Sequence, residues 1–179
     1  HIVLQFMLTI GIAIMPRWQR RLGGLLLSNH SYGSIAGWYW NGSFWEWAGD
    51  DVEDNNFGYY SYWASLWDQI AVDAPSYLIV KSAGNDRGDG PTNGAHPQDG
   101  PYDCISSAGN AKNILTVGAV GDVSGGYSGD PNNVQMTSFS SWGPCDDGRI
   151  KPDICGNGAE LLSAYWLSSD PNNTGYFAS

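Results

Sequence analysis

Apolar residues fall along this chain in three short runs and one helical stripe. Gly24-Leu25-Leu26-Leu27-Ser28-Asn29 passes from apolar to polar, as a buried strand does at its exit. Tyr59, Tyr62, Trp63, Leu66, Trp67, Ile70 and Ala71 recur at the three- and four-residue spacing of one helix face. Ala74-Pro75 stops that stripe, because proline cannot continue a helix. Tyr77-Leu78-Ile79-Val80 and Ile114-Leu115-Thr116-Val117-Gly118-Ala119-Val120 are two further continuous runs. Strand, helix, strand in that order predicts a βαβ unit, with parallel strands and a right-handed crossover. Continuously apolar strands predict a sheet covered by helices on both faces. The expected class is therefore α/β, a three-layer fold with a mostly parallel central sheet. Residues 33–58, dense in Gly, Trp, Asn and Asp, read as a long surface loop, and the Gly/Pro/Asp stretch 86–103 as another.

Composition narrows the class further. The chain has 179 residues, 42% hydrophobic and 15% charged, enough for one buried core and unlike a disordered tail or a charge-driven coiled coil. Eighteen acidic against eight basic residues give −10. Every carboxylate lies at or beyond Glu46, so residues 1–45 carry +3 from Arg17, Arg20 and Arg21. Residues 46–179, with five basic against eighteen acidic side chains, carry −13. Such a chain has no electrostatic footprint for phosphate backbones, and no nucleic-acid partner is expected. Residues 2–15 are mostly apolar but short of the roughly 20 residues that a helix needs to span a bilayer. Their positive charges follow the run, opposite to a signal peptide. A buried core element, a mis-framed or foreign leader and part of a membrane anchor all remain open for residues 1–21, and no membrane partner is established. The abrupt Asn172–Ser179 end reads as internal to a longer chain.

Chemistry is expected where parallel strands end, because ligands of open α/β sheets meet the loops at the carboxyl edge. Two such exits are Ser28-Asn29-His30-Ser31-Tyr32-Gly33 and Ser82-Ala83-Gly84-Asn85-Asp86. Gly84 would let backbone approach a substrate, and Asn85 would donate a neutral N–H to an oxygen that becomes negative. The plain alternative is a turn in which both residues only supply permissive backbone angles.

Five ordered blocks change that balance. They are Leu26–Gly33, Ala74-Pro75 leading into Leu78–Asn85, Lys112–Val120, Thr137–Pro144 and Asp147–Ile154. In this order the chain resembles the subtilisin-like serine peptidases, the subtilase family, over roughly residues 22–179, and especially its longer bacterial secreted branch. The resemblance implies that Asn85 is the oxyanion-hole asparagine; the loss of such a donor in subtilisin is known to cost about 10²–10³ in turnover. It implies that Ser31, Tyr32 and Gly33 pair with substrate backbone and form one wall of the specificity pocket, with Ala83 and Gly84 opposite. A peptide strand docked between two backbone edges is β-augmentation. The implied activity is endopeptidase cleavage of polypeptides through an acyl-enzyme, outside the cell, with no cofactor needed for the chemistry. The family's aspartate and histidine motifs do not precede Ser28, and no Gly-Thr-Ser-Met-Ala type motif occurs, so the chain is expected to stop short of the nucleophile. The isolated chain is then expected to be inactive, since acyl transfer has no first step. A non-catalytic peptide-binding pseudopeptidase is the alternative from another class, and a frameshifted gene fragment is a third.

Other features carry weaker expectations. His30 reads as a structural hydrogen-bonding group and His96 as solvated. No His/Cys pair has zinc spacing, and no metal ligand is assigned. Cys145 and Cys155 could close a small loop as a disulfide or remain free core thiols. Asp50-Asp51-x-Glu53-Asp54-Asn55-Asn56 offers hard oxygen ligands, and structural calcium is a family habit, but a solvated loop is the simpler expectation. Trp38, Trp40, Trp45 and Trp47 could pack beneath this loop or line an extended cleft.

Overall fold

The computed structural model describes residues 26–50, 53–91, 102–159, 161–166 and 174–178, the last two segments as backbone strands. Residues 1–21, His96 and Asp51 lie outside them. Strands β1 (Leu27–His30), β4 (Leu78–Ser82), β5 (Leu115–Val120) and β6 (Ile154–Asn157) form one sheet in the order β1-β4-β5-β6. Every pairing in it is parallel. The α/β class with a parallel central sheet is thus what the chain adopts, and all three apolar runs become strands of that sheet.

Helix α1 (Tyr62–Asp73) lies between β1 and β4 in sequence. Ser61 caps it, its Oγ accepting from the Ala64 N–H at 3.2 Å, and it ends at Ala74 before Pro75. Ala64 and Trp67 pack with Ile79 of β4, Ala108, Ala111 and Ile114 into the principal core. The helix is where the sequence places it, but its buried face is rotated. Tyr62 is 71% exposed, whereas Asp68, polar and outside the expected stripe, is 7% exposed. The reason is hydrogen bonding: Asp68 accepts from Tyr60 Oη (2.6 Å) and from the N–H groups of Lys112 and Asn113, which lead into β5. A buried carboxylate with three partners offsets its desolvation, so polarity did not keep it at the surface. The strands also depart from continuous burial. In β4, Ile79 and Lys81 are buried while Leu78 is exposed, the alternation of a strand packed closely on one face.

Residues 33–58 are not simply a loop. Strands β2 (Trp38–Trp40) and β3 (Trp45–Trp47) form an antiparallel hairpin whose register sets Trp38 opposite Trp47 and Trp40 opposite Trp45. Ring centroids are 5.2 Å apart in the first pair and 5.7 Å in the second. At the turn Asn41 Oδ1 accepts from the N–H groups of Ser43 and Phe44. Period-two tryptophans about Asn41-Gly42 were the available signal, masked by the surrounding Gly, Asn and Asp. The base of the hairpin meets a second core of Ala36, Phe57 and Cys104, flanked by Trp142. Strands β7 (Leu162–Trp166) and β8 (Thr174–Ala178) pair antiparallel apart from the main sheet.

Candidate functional site

The register of the parallel sheet brings the two expected exits to one edge. His30 at the end of β1 is the partner of Lys81 in β4. Ser31-Tyr32-Gly33 and Ala83-Gly84-Asn85 therefore leave neighbouring strands at the same carboxyl end. Ser31, Tyr32 and Gly33 are exposed, with no secondary structure of their own. Ala83 is 4% exposed and extends the ladder, donating its N–H to Val117 O at 2.9 Å. Gly84 turns the chain at φ +113°. Asn85 precedes a 3-10 turn at Asp86–Gly88, is exposed, and its side chain caps nothing.

The conformation of this turn is set from a distance. Ser141, just past the bend at Ser138–Phe139 beside β5, donates its N–H to Gly84 O at 2.9 Å. Its Oγ accepts from the Asp86 N–H at 2.9 Å and donates to Asp86 Oδ2 at 3.1 Å. A Cβ on Gly84 would stand 2.7 Å from Asp86 Oδ2 and 3.0 Å from Ser141 Oγ, so both angle and space require glycine there. Arg87 donates to the carbonyls of Thr137 and Ser138 and lies 3.9 Å over the Trp142 ring. Trp142 in turn stacks on Tyr102. Beyond the turn, Gly90 abuts Trp38, which places the tryptophan hairpin beside the Asn85 loop.

Beneath the turn the electrostatics are unusual. Burial pushes the Asp86 carboxyl up to about 6, with Asp89 nearby adding to the rise and the Ser141 hydrogen bond opposing it. Burial also brings the Lys81 ammonium down to about 8, Asp86 countering part of that change. Lys81 Nζ donates to Ser82 O and Oγ. His30 is engaged at both ring nitrogens, with Ser28 Oγ and Tyr32 Oη each at 2.7 Å. Its ring meets Trp67 edge-on, and burial followed by the Lys81 charge lowers its pKa. The structural role expected of His30 fits this network, which also orients Tyr32. The sequence reading overlooked Ser141, Asp86 and Lys81. Ser141 stood within a recognised block, but its partner is 55 residues away.

The acidic stretch divides on folding. Asp54 is consumed internally, accepting from the Gly37 N–H at 2.7 Å and from Asn56. Glu53 instead joins Asp103 and Asp146, one carboxylate oxygen from each lying within 4.8 Å of the others. Gly58 closes on this group so tightly that a Cβ would run into both aspartates. Three hard oxygens around a small cradle suit calcium rather than a softer metal. Cys145 is a buried thiol and Cys155 an exposed one, not joined to each other, and Cys104 is buried.

The sequence profile of the subtilase family matches residues 23–178. The chain belongs to the subtilase family. No curated protein matches it. Membership makes this a domain of serine-peptidase type whose substrate is polypeptide. Within this subtilase, none of the described helices is long and apolar enough to cross a membrane.

Proposed function

We propose that this subtilase domain holds an extended peptide between Ser31–Gly33 and Ala83–Gly84, and that Asn85 donates to the tetrahedral oxyanion of a serine endopeptidase reaction. The carrying observation is Asn85 itself: exposed and uncommitted at the exit of β4, beside the exit of β1. A neutral amide there strengthens its hydrogen bond as the carbonyl oxygen gains charge, which is differential stabilisation of the transition state. The exposed Ser31–Gly33 segment, without secondary structure of its own, supports docking by β-augmentation. Because no sequence motif here supplies nucleophile, base and orienting acid, the isolated chain binds but does not turn over. The family and the acidic composition support action outside the cell as part of this reading. Glu53, Asp103 and Asp146 would hold a structural calcium, which stiffens the loops without entering the chemistry.

The test uses a peptide with a phosphinate replacing the scissile bond, titrated calorimetrically into the chain. Binding weakened about tenfold or more by Asn85→Ala is expected, the value of a hydrogen bond to a charged oxygen. Equal affinity of the two proteins removes Asn85 from the oxyanion role. Casein cleavage by the pure chain, blocked by a serine-directed inhibitor, would falsify the inactivity.

A further inference from the structure

We propose that Ser141 and Asp86 act as positioning residues, a two-residue latch that fixes the direction in which the Asn85 side chain points. This rests on the reading of Asn85 as oxyanion donor, and extends it to side chains that touch no substrate. The argument is geometric. Ser141 grips the peptide groups on both sides of Asn85: Gly84 O accepts from its N–H, and the Asp86 N–H donates to its Oγ. The same hydroxyl then donates a hydrogen bond to Asp86 Oδ2, so one fully buried serine satisfies three groups of the turn. Neither bond uses the Asn85 side chain, which stays available while its backbone is held. The latch is itself anchored, since Ser140 Oγ accepts from the Ala119 N–H of β5 at 2.9 Å. Catalytic groups need supporting hydrogen bonds of this kind, because a small misplacement of a donor costs much of its effect.

The latch also carries a titratable group. Asp86 faces Lys81 from β4, Ser141 from the segment after β5, Cys104, and Asp89 of its own turn, with Arg87 beside Cys104. Protonation of its carboxyl changes what the Ser141 hydroxyl donates to, and the turn should respond around pH 6.

NMR of the ¹⁵N-labelled chain tests this without any substrate. Ser141→Ala should speed hydrogen exchange at the Asp86 N–H about tenfold, the loss of one ordinary hydrogen bond, and move the Asn85 side-chain NH₂ signals. Ser141→Thr, which keeps the hydroxyl, should restore both. In the unmodified chain the Asn85 NH₂ signals should shift with a midpoint near pH 6, and Asp86→Asn should abolish that shift while keeping an acceptor for Ser141. The latch is overturned if Ser141→Ala leaves exchange and the Asn85 signals unmoved, or if Asp86→Asn leaves the pH course unchanged. Should Ser141→Ala fail to fold, the Asp86→Asn titration decides alone. Failure of the oxyanion reading shows separately, as unchanged phosphinate affinity in Asn85→Ala, and leaves these results to judge the latch.

Discussion

Replacing Gly84 with alanine isolates the demand that the turn places on its sequence. At φ +113° an L-residue is strained, by about 1–2 kcal/mol on the left-handed penalty. The added methyl would also lie 2.7 Å from Asp86 Oδ2 and 3.0 Å from Ser141 Oγ, both inside ordinary contact. Relieving that overlap means forcing Asp86 and Ser141 apart, an overpacking cost of about 1–3 kcal/mol. Together the variant should lose about 2–5 kcal/mol, a large share of the stability of an ordinary domain. Urea denaturation followed by tryptophan fluorescence measures this. The two contributions separate in a double-mutant cycle with Ser141→Ala: removing the hydroxyl relieves part of the overlap but none of the backbone strain. Coupling of about 0.5–3 kcal/mol is expected for residues in contact. A loss below about 0.5 kcal/mol for Gly84→Ala refutes the strain argument, and additivity in the cycle refutes the steric one.

Three other outcomes follow from the buried carboxylates and the acidic cluster. Asp86, raised from 3.8 to about 6, adds stability that is complete below the lower value and lost as pH rises through the upper one, roughly 3 kcal/mol in all. The stability difference between the unmodified chain and Asp86→Asn should therefore change between pH 4 and 7, and a flat difference contradicts the burial of this carboxyl. Asp68→Ala orphans the Lys112 and Asn113 N–H groups and the Tyr60 hydroxyl, at about 1–3 kcal/mol for each group left without a partner; a midpoint unchanged in urea would deny Asp68 its anchoring role. Calcium at millimolar levels should raise the melting temperature, and Asp146→Asn should blunt the rise; no response to calcium in the unmodified chain would leave Glu53, Asp103 and Asp146 as ordinary surface acids.

What the sequence revealed tracks how local each cause is. The runs at Leu27, Leu78 and Leu115 were legible because strand burial is written in consecutive residues, and the helix because its period lies within twelve residues. The helix's true face was not, because Asp68 is buried through donors more than forty residues downstream. β6 escaped notice since Ile154-Cys155-Gly156-Asn157 is short and mixed, and it becomes a strand only by pairing with β5. That Asn85 follows the exit of a strand was legible, because the apolar run at Leu78 leads straight into Ala83-Gly84, while its oxyanion role is a proposal. The segment that shapes the turn around it was visible as a block, but nothing in Ser140-Ser141 announces which turn it grips.

Those two serines impose a condition on chain length. They are neighbours in a segment that directly follows the bend at Ser138–Phe139 and belongs to no strand. One hydroxyl meets β5 and the other meets the turn. Deleting or inserting a single residue between Thr137 and Ser141 would carry a hydroxyl away from its partner, because Thr137 is itself tied to β5 through its N–H on Ala119 O. The stretch can vary in composition at its exposed positions, but its residue count acts as a ruler that the carboxyl edge of the sheet cannot do without.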